Sequence, residues 1–224
     1  MARRTPAAVV FDCDGTLVDS ELLHAKALQG ALGRWGVGLG VEQIRAQSTG
    51  VANSDFLRRV ADEYGVTLPV DAEIVVEEVA SRLIVDEIRL MEGAEAIVRH
   101  LASNGIGLAV ASNSSRRLVR EMLNTVGLVP AFGERIVTRD DVTAPKPAPD
   151  AYHLAAQLLL VRSEDTIAVE DSPVGVIAAR AAGMAVVGFR PPAAIFTAAD
   201  LIRAGAFIVV ASLRDLLEFV PAGV

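Results

Sequence analysis

The sequence predicts an α/β protein whose core is a parallel sheet, with an all-helical segment inserted after the first strand. Two observations carry this prediction. Short apolar runs alternate with helical patterns along most of the chain, which is typical of a parallel sheet covered by helices on both faces. Between residues 20 and 90 this alternation stops, and only helical patterns remain.

Six apolar runs are predicted to form the sheet, because a strand that is buried on both faces is apolar throughout. They are Ala7–Phe11, Ile106–Ser112, Arg135–Thr138, Thr166–Glu170, Ala185–Phe189 and Phe207–Val210. Helical patterns lie between most of them, at Glu92–Ser103, Ser115–Val126, Asp150–Leu160, Pro173–Ala182 and Ile195–Ala204.

The inserted segment is predicted to contain four helices joined by linkers that are rich in glycine or contain proline. These helices are Glu21–Trp35, Val41–Gln47, Ser54–Tyr64 and Asp71–Ile88. We therefore expect a core domain made of residues 1–19 and 91–224, and a helical cap domain made of residues 20–90.

The amino-acid composition limits the classes of protein to which this chain can belong. The 224 residues are 52% hydrophobic with a mean hydropathy of +0.41, which is ample for a buried core. A net charge of −7 argues against nucleic acid as a partner, since phosphate-backbone binding needs a basic face. Apolar runs stay well short of the ~20 residues that span a bilayer, and the N-terminus lacks a signal-peptide pattern. With a single cysteine and hence no internal disulfide, we expect a cytoplasmic protein that does not bind membranes. We also expect a monomer.

Two aspartates end the first strand. In an extended chain, side chains two positions apart point the same way, so Asp12 and Asp14 start on one side and Cys13 points to the interior. Paired carboxylates at a strand end cost desolvation and mutual repulsion, which suits a site where a cation or reacting group lies between them. The alternative is a polar turn that merely closes the strand.

Three further motifs lie at the ends of predicted strands or at the start of a predicted helix. Ser112 ends the second strand where a helix begins, which favours a phosphate oxyanion or, alternatively, a simple helix cap. Lys146 lies between Pro145 and Pro147, which would fix a long cation for a carboxylate and a phosphoryl oxygen; the alternative is an exposed loop lysine. Glu170 and Asp171 end another strand and offer hard oxygen ligands for Mg²⁺, or else cap the next helix.

These four motifs, in this order, resemble those of the haloacid dehalogenase (HAD) superfamily, which includes phosphatases and phosphomutases. The resemblance implies a Rossmann-like core with a small helical cap. It implies that Asp12 is the nucleophile that forms an aspartyl-phosphate, that Asp14 is the general acid/base, and that Ser112 and Lys146 bind the phosphoryl group, with Asn113 beside Ser112 as a further substrate contact. The implied Mg²⁺ ligands are Asp12, the main-chain carbonyl of Asp14, Glu170 and Asp171.

The activity implied is that of a Mg²⁺-dependent phosphatase acting on a small phosphorylated metabolite. Asp14 argues against the dehalogenase and phosphonate-hydrolysing branches of the superfamily, which lack an acid there. The strings Phe11–Glu21 and Gly65–Leu68 are similar to those of phosphatases of sugar-acid phosphates, which suggests a sugar or sugar-acid phosphate as substrate. A non-catalytic binding protein on the same fold is disfavoured by the complete set of site residues.

The alternative activity is that of a beta-phosphoglucomutase-like sugar phosphomutase. His24 follows the nucleophile at the spacing of a cap histidine that couples substrate binding to closure in such mutases, although it could equally be a polar surface residue. Asn53 stands where the mutases carry a phosphate-gripping arginine, and Thr49 where a lysine is usual, which favours the hydrolase. Arg58 or Arg59 could replace that arginine. His24 and Asn53 are counted among the candidate substrate-binding residues.

Overall fold

The computed structural model of the protein describes residues 5–220. The chain forms two compact units, one made of Asp19–Arg89 and the other of the chain on both sides of that segment. The first is a helical unit and the second an α/β unit. Among the described residues, none of the helices has the length and apolar character needed to cross a membrane.

The α/β unit is built on a six-stranded parallel sheet, which confirms the predicted fold class. The strands are β1 (Ala8–Phe11), β2 (Gly107–Ala111), β3 (Ile136–Val137), β4 (Thr166–Glu170), β5 (Ala185–Phe189) and β6 (Ile208–Val210). Their order in the sheet is β3-β2-β1-β4-β5-β6. Strand β1 thus pairs with β2 on one side and with β4 on the other, so the winding direction reverses at β1. In sheets of this kind ligands bind at such a switch point, outside the carboxyl ends of the strands.

Helices cover both faces of the sheet. The helices of this unit are α5 (Ala94–Ser103), α6 (Arg116–Thr125), α7 (Val129–Phe132), α8 (Asp150–Leu158), α9 (Pro173–Ala181) and α10 (Ala198–Ala204). On one face, small residues of the central strands such as Val10, Ala109 and Ala168 pack against α8, α9 and α10. On the other face, the rings of Phe11 and Phe132 meet edge to face with centroids 6.4 Å apart.

Most predicted elements begin and end within two residues of the expected positions, but strand β3 and helix α10 are shortened for identifiable reasons, and α7 and the 3-10 helices were not predicted. Strand β3 has two residues instead of four, because Thr138 leaves the sheet to cap a 3-10 helix at Arg139–Asp141 and binds the Asp141 carboxylate. Helix α10 begins at Ala198 instead of Ile195, because Thr197 and Asp200 form a capping box. Helix α7 lies in a stretch for which no element was predicted, between β2 and β3.

The helical unit contains the four predicted helices, α1 (Glu21–Arg34), α2 (Val41–Ser48), α3 (Asn53–Tyr64) and α4 (Ala72–Glu87). Helix α1 packs against both α2 and α4. The buried core of this unit includes Leu28, Ile44, Phe56 and Ile84. Gly65 ends α3 in the left-handed conformation that a glycine adopts without strain, with φ of 63°.

Two glycines inside α1 give a matched test of this packing. A Cβ on Gly33 would have no heavy atom within 4 Å, whereas a Cβ on Gly30 would lie 3.1 Å from Val79 Cγ1 of α4. Because glycine is a poor helix former, we expect Gly33→Ala to raise the free energy of unfolding by about 0.5–1 kcal/mol. Gly30→Ala should raise the free energy of unfolding by less than this, or should lower it. Urea denaturation of both variants measures the difference. An equal gain at both positions would contradict the described packing of α1 on α4.

Candidate active site

The two aspartates that follow β1 lie in a tight turn. The main-chain N–H groups of Leu17 and Val18 donate to Cys13 O, which folds the chain back directly after the strand. The Cys13 side chain is fully buried, as its inward position in the sequence predicted. Gly15 has a φ of 76°, and a Cβ there would lie 2.2 Å from Asp171 Oδ2. A glycine at this position therefore lets the Asp171 carboxylate approach the turn.

Lys146 forms a buried bridge between two strand ends. Its Nζ lies 2.6 Å from Asp12 Oδ1 and 2.5 Å from Glu170 Oε1, and the residue is only 7% exposed. The lysine is thus an internal cation and not an exposed loop residue. Since removing one partner of a buried ion pair leaves an uncompensated charge, these three groups depend on one another.

Asn113 fixes the main chain of this lysine. Lys146 N donates to Asn113 Oδ1 at 2.9 Å, and Asn113 Nδ2 donates to Lys146 O at 3.2 Å. The amide side chain that the sequence predicted as a substrate contact is therefore engaged with the segment that presents Lys146. Its position at the end of β2 links the lysine loop to the sheet.

The Asp14 carboxylate accepts hydrogen bonds from two serine hydroxyls. Its Oδ2 accepts from Ser112 Oγ at 3.1 Å and from Ser114 Oγ at 2.8 Å. Ser112 was a predicted site residue, whereas Ser114 was missed. The spacing of the two serines could have revealed it, because residues two apart at a strand end face the same way, as Asp12 and Asp14 do.

Glu170 ends β4 with no exposed surface, and both of its carboxylate oxygens accept hydrogen bonds. Its Oε1 accepts from Lys146 Nζ and from Tyr152 Oη at 2.6 Å, and its Oε2 accepts from Ser172 Oγ at 3.1 Å. A Cβ on Gly175, in the first turn of α9, would lie 1.8 Å from Glu170 Oε1. Glycine at position 175 therefore provides the space that this carboxylate occupies.

Three carboxylates form a candidate cation site. Oxygens of Asp12, Glu170 and Asp171 lie within 4.8 Å of one another. This all-oxygen donor set fits a hard divalent cation such as Mg²⁺. The side chain of Asp14, a fourth predicted ligand, lies instead with the serine hydroxyls, in keeping with the implied use of its main-chain carbonyl.

The electrostatics of the site also fit a cation. Burial, together with the neighbouring carboxylates of Glu170 and Asp14, raises the pKa of Asp12 to about 8 although Lys146 opposes the shift. Burial alone would lower the pKa of Lys146, but Asp12 and Glu170 raise it well above its ordinary value, so the lysine stays charged. One ammonium thus contacts two carboxyl groups, and a bound cation would favour the ionised form of Asp12.

The remaining predicted site residues lie together in the helical unit. His24 Nε2 and Asn53 Oδ1 are 2.9 Å apart, which joins the first turn of α1 to the first residue of α3. Arg58 pairs with Asp55 one turn earlier. Arg59 donates to Gln47 O at 2.8 Å, and its guanidinium lies over the Phe56 ring.

Comparison with known proteins identifies the family of this chain. The sequence model of the haloacid dehalogenase-like hydrolases matches residues 6–183. The chain is 31% identical over 183 residues to 6-phosphogluconate phosphatase of Escherichia coli strain K12, covering 81% of each protein.

Solved structures are similar as well. A HAD family hydrolase of Deinococcus radiodurans, with bound phosphate and sodium, is 33% identical with a TM-score of 0.79, over 96% of this chain and 97% of the other. A putative beta-phosphoglucomutase of Thermotoga maritima is 27% identical with a TM-score of 0.78, over 94% and 96%. The resemblance of the four motifs is thereby confirmed, and the chain belongs to the haloacid dehalogenase-like hydrolase family.

Proposed function

We propose that this hydrolase is a Mg²⁺-dependent phosphatase that cleaves a small phosphate monoester through an aspartyl-phosphate on Asp12. The observation that carries the proposal is the buried contact of Lys146 Nζ with Asp12 Oδ1, at the sheet edge where Ser112 and Asp14 also lie. A carboxylate held against a fixed cation, with a second carboxyl group two residues away, has the parts that covalent catalysis with acid/base assistance requires.

In the first step a carboxylate oxygen of Asp12 attacks phosphorus. The bond between phosphorus and the ester oxygen breaks, and Asp14 gives its proton to that oxygen, which leaves as an alcohol. The hydroxyls of Ser112 and Ser114 orient the Asp14 carboxyl group through its Oδ2.

In the second step water attacks the phosphorus of the aspartyl-phosphate. Asp14 takes a proton from the water, the bond between phosphorus and the Asp12 oxygen breaks, and its electron pair returns to the Asp12 carboxylate. Inorganic phosphate leaves, and both aspartates are restored to their starting states.

Lys146 offsets the negative charge that gathers at Asp12 and on the phosphoryl oxygens. Opposite unit charges 4 Å apart gain about 4 kcal/mol at an effective dielectric constant near 20. Asp12 and Asp171 would hold the metal ion, with Glu170 close enough to add a third carboxylate and Asp14 its main-chain carbonyl. When bound, Mg²⁺ would neutralise charge on the transferring group.

A sugar or sugar-acid monophosphate is the substrate class we propose. The similarity to a phosphatase of 6-phosphogluconate supports it. The helical unit supplies His24 and Asn53, a pair of polar side chains that can hydrogen-bond to hydroxyl groups and are proposed here as substrate contacts. A mutase needs a second phosphate grip, and the two candidate arginines already contact Asp55 and Gln47.

Asp12→Asn tests the nucleophile. We expect this substitution to lower phosphate release from the best substrate of a sugar and sugar-acid phosphate panel by at least ~10³-fold, because the amide cannot attack phosphorus. Asp62→Asn makes the same chemical change on the exposed surface of α3 and should leave turnover unchanged. Phosphate release that survives Asp12→Asn would refute the mechanism. Conversion of beta-glucose 1-phosphate to glucose 6-phosphate without free phosphate would favour the mutase.

Removal of divalent cations tests the metal site. Activity should vanish in excess EDTA and return with Mg²⁺. Asp171→Asn should raise the half-saturating Mg²⁺ concentration by about tenfold or more, since even residues outside the ligand set shift metal affinity by about 10–100-fold. Asp62→Asn again serves as the matched control. Full turnover in EDTA would rule out the proposed cation.

A further inference from the structure

Tyr152 is a fully buried residue of α8 whose hydroxyl contacts the site from the side of the sheet covered by that helix. It donates to Glu170 Oε1 at 2.6 Å, the same oxygen that Lys146 Nζ contacts at 2.5 Å. Lys146 Nζ also lies 5.1 Å from the centroid of the Tyr152 ring. The phenol therefore contacts both Glu170 and Lys146, which form an ion pair with each other.

The support for Tyr152 is rigid. Helix α8 packs against β1, β2 and β3, and the ring belongs to the same buried cluster as Val10, Ala109 and Ala168. The Tyr152 hydroxyl lies 2.6 Å from Glu170 Oε1, and since a carboxylate only accepts, the phenol is the donor. A tyrosine locked in this way can fix an acceptor more closely than a mobile side chain could.

The contact between Tyr152 and Glu170 influences how strongly Lys146 Nζ interacts with each of its two carboxylate partners. The ammonium is shared between Asp12 Oδ1 and Glu170 Oε1. A hydrogen bond from Tyr152 withdraws negative charge from Glu170 Oε1 and fixes that oxygen in place. Without it, Glu170 would attract the ammonium more strongly and would be freer to move, and both changes draw Lys146 away from Asp12.

We propose that Tyr152 is a positioning residue, whose hydroxyl holds Glu170 so that Lys146 Nζ stays against Asp12. The inference rests on the proposed phosphatase function, because the consequence of a displaced lysine is a slower transfer of the phosphoryl group to Asp12. Tyr152 itself touches neither the reacting carboxylate nor the substrate in this proposal.

The test is Tyr152→Phe, which removes the hydroxyl and keeps the ring. We expect kcat to fall about 5- to 20-fold, since a hydrogen bond to a charged group is at stake, with KM changed by no more than about twofold. The control is Thr166→Val, which removes a buried hydroxyl that donates to Arg162 O at 3.0 Å at the opposite end of β4. It should lower the melting temperature by a similar amount and leave kcat unchanged.

Two kinetic outcomes overturn the inference. One is a Tyr152→Phe enzyme with wild-type kcat, in a preparation where the wild type turns over and Asp12→Asn does not; the phosphatase proposal then stands alone. The other is an equal loss of kcat in Thr166→Val, which would mark the effect as general destabilisation.

A structural readout separates this inference from the proposed function. Crystal structures of the wild type and Tyr152→Phe should show that the separation of Lys146 Nζ and Asp12 Oδ1 lengthens beyond hydrogen-bond distance in the variant. An unmoved lysine would overturn the inference. This comparison decides the role of Tyr152 even if the wild type hydrolyses no ester of the panel, a result that would count against the phosphatase proposal alone.

Discussion

The rest of the site depends on one interaction, the buried ion pairing of the Lys146 ammonium group with Asp12 and Glu170. Burying three charged groups is expensive, and a hydrophobic replacement of similar volume is often more stable. The arrangement is therefore better explained by chemistry than by stability. A nucleophilic carboxylate must be ionised although it is shielded from water, and a fixed cation at hydrogen-bond distance favours that state.

The topology of the sheet brings these groups together from distant parts of the chain. Because the winding reverses at β1, the ends of β2 and β4 flank the end of β1 and carry Ser112 and Glu170 to either side of Asp12. Two glycines leave space for acidic side chains at this edge of the sheet. Gly15 makes room for the Asp171 carboxylate and Gly175 for the Glu170 carboxylate. The carboxyl edge of the sheet is thus shaped around its acidic side chains.

Much of this could be predicted from the sequence, since apolar strands, strand-end acids and a proline-flanked lysine are local signals. Contacts between side chains far apart in sequence could not. Nothing local to Tyr152 indicates that its hydroxyl meets Glu170, and nothing near Asn113 indicates that its amide holds the main chain of Lys146. The pairing of His24 with Asn53 likewise depends on how the four helices of the helical unit pack. Strand β3 was overestimated because capping by Thr138 competes with sheet pairing.

The most direct test of the central claim is the stereochemical course at phosphorus. Hydrolysis of a phosphate ester made chiral with oxygen isotopes and sulfur separates one displacement from two. Transfer to Asp12 followed by attack of water inverts phosphorus twice, so the account predicts overall retention of configuration. Overall inversion would show that water attacks the ester directly, and would contradict the role of Asp12 as the nucleophile held by Lys146.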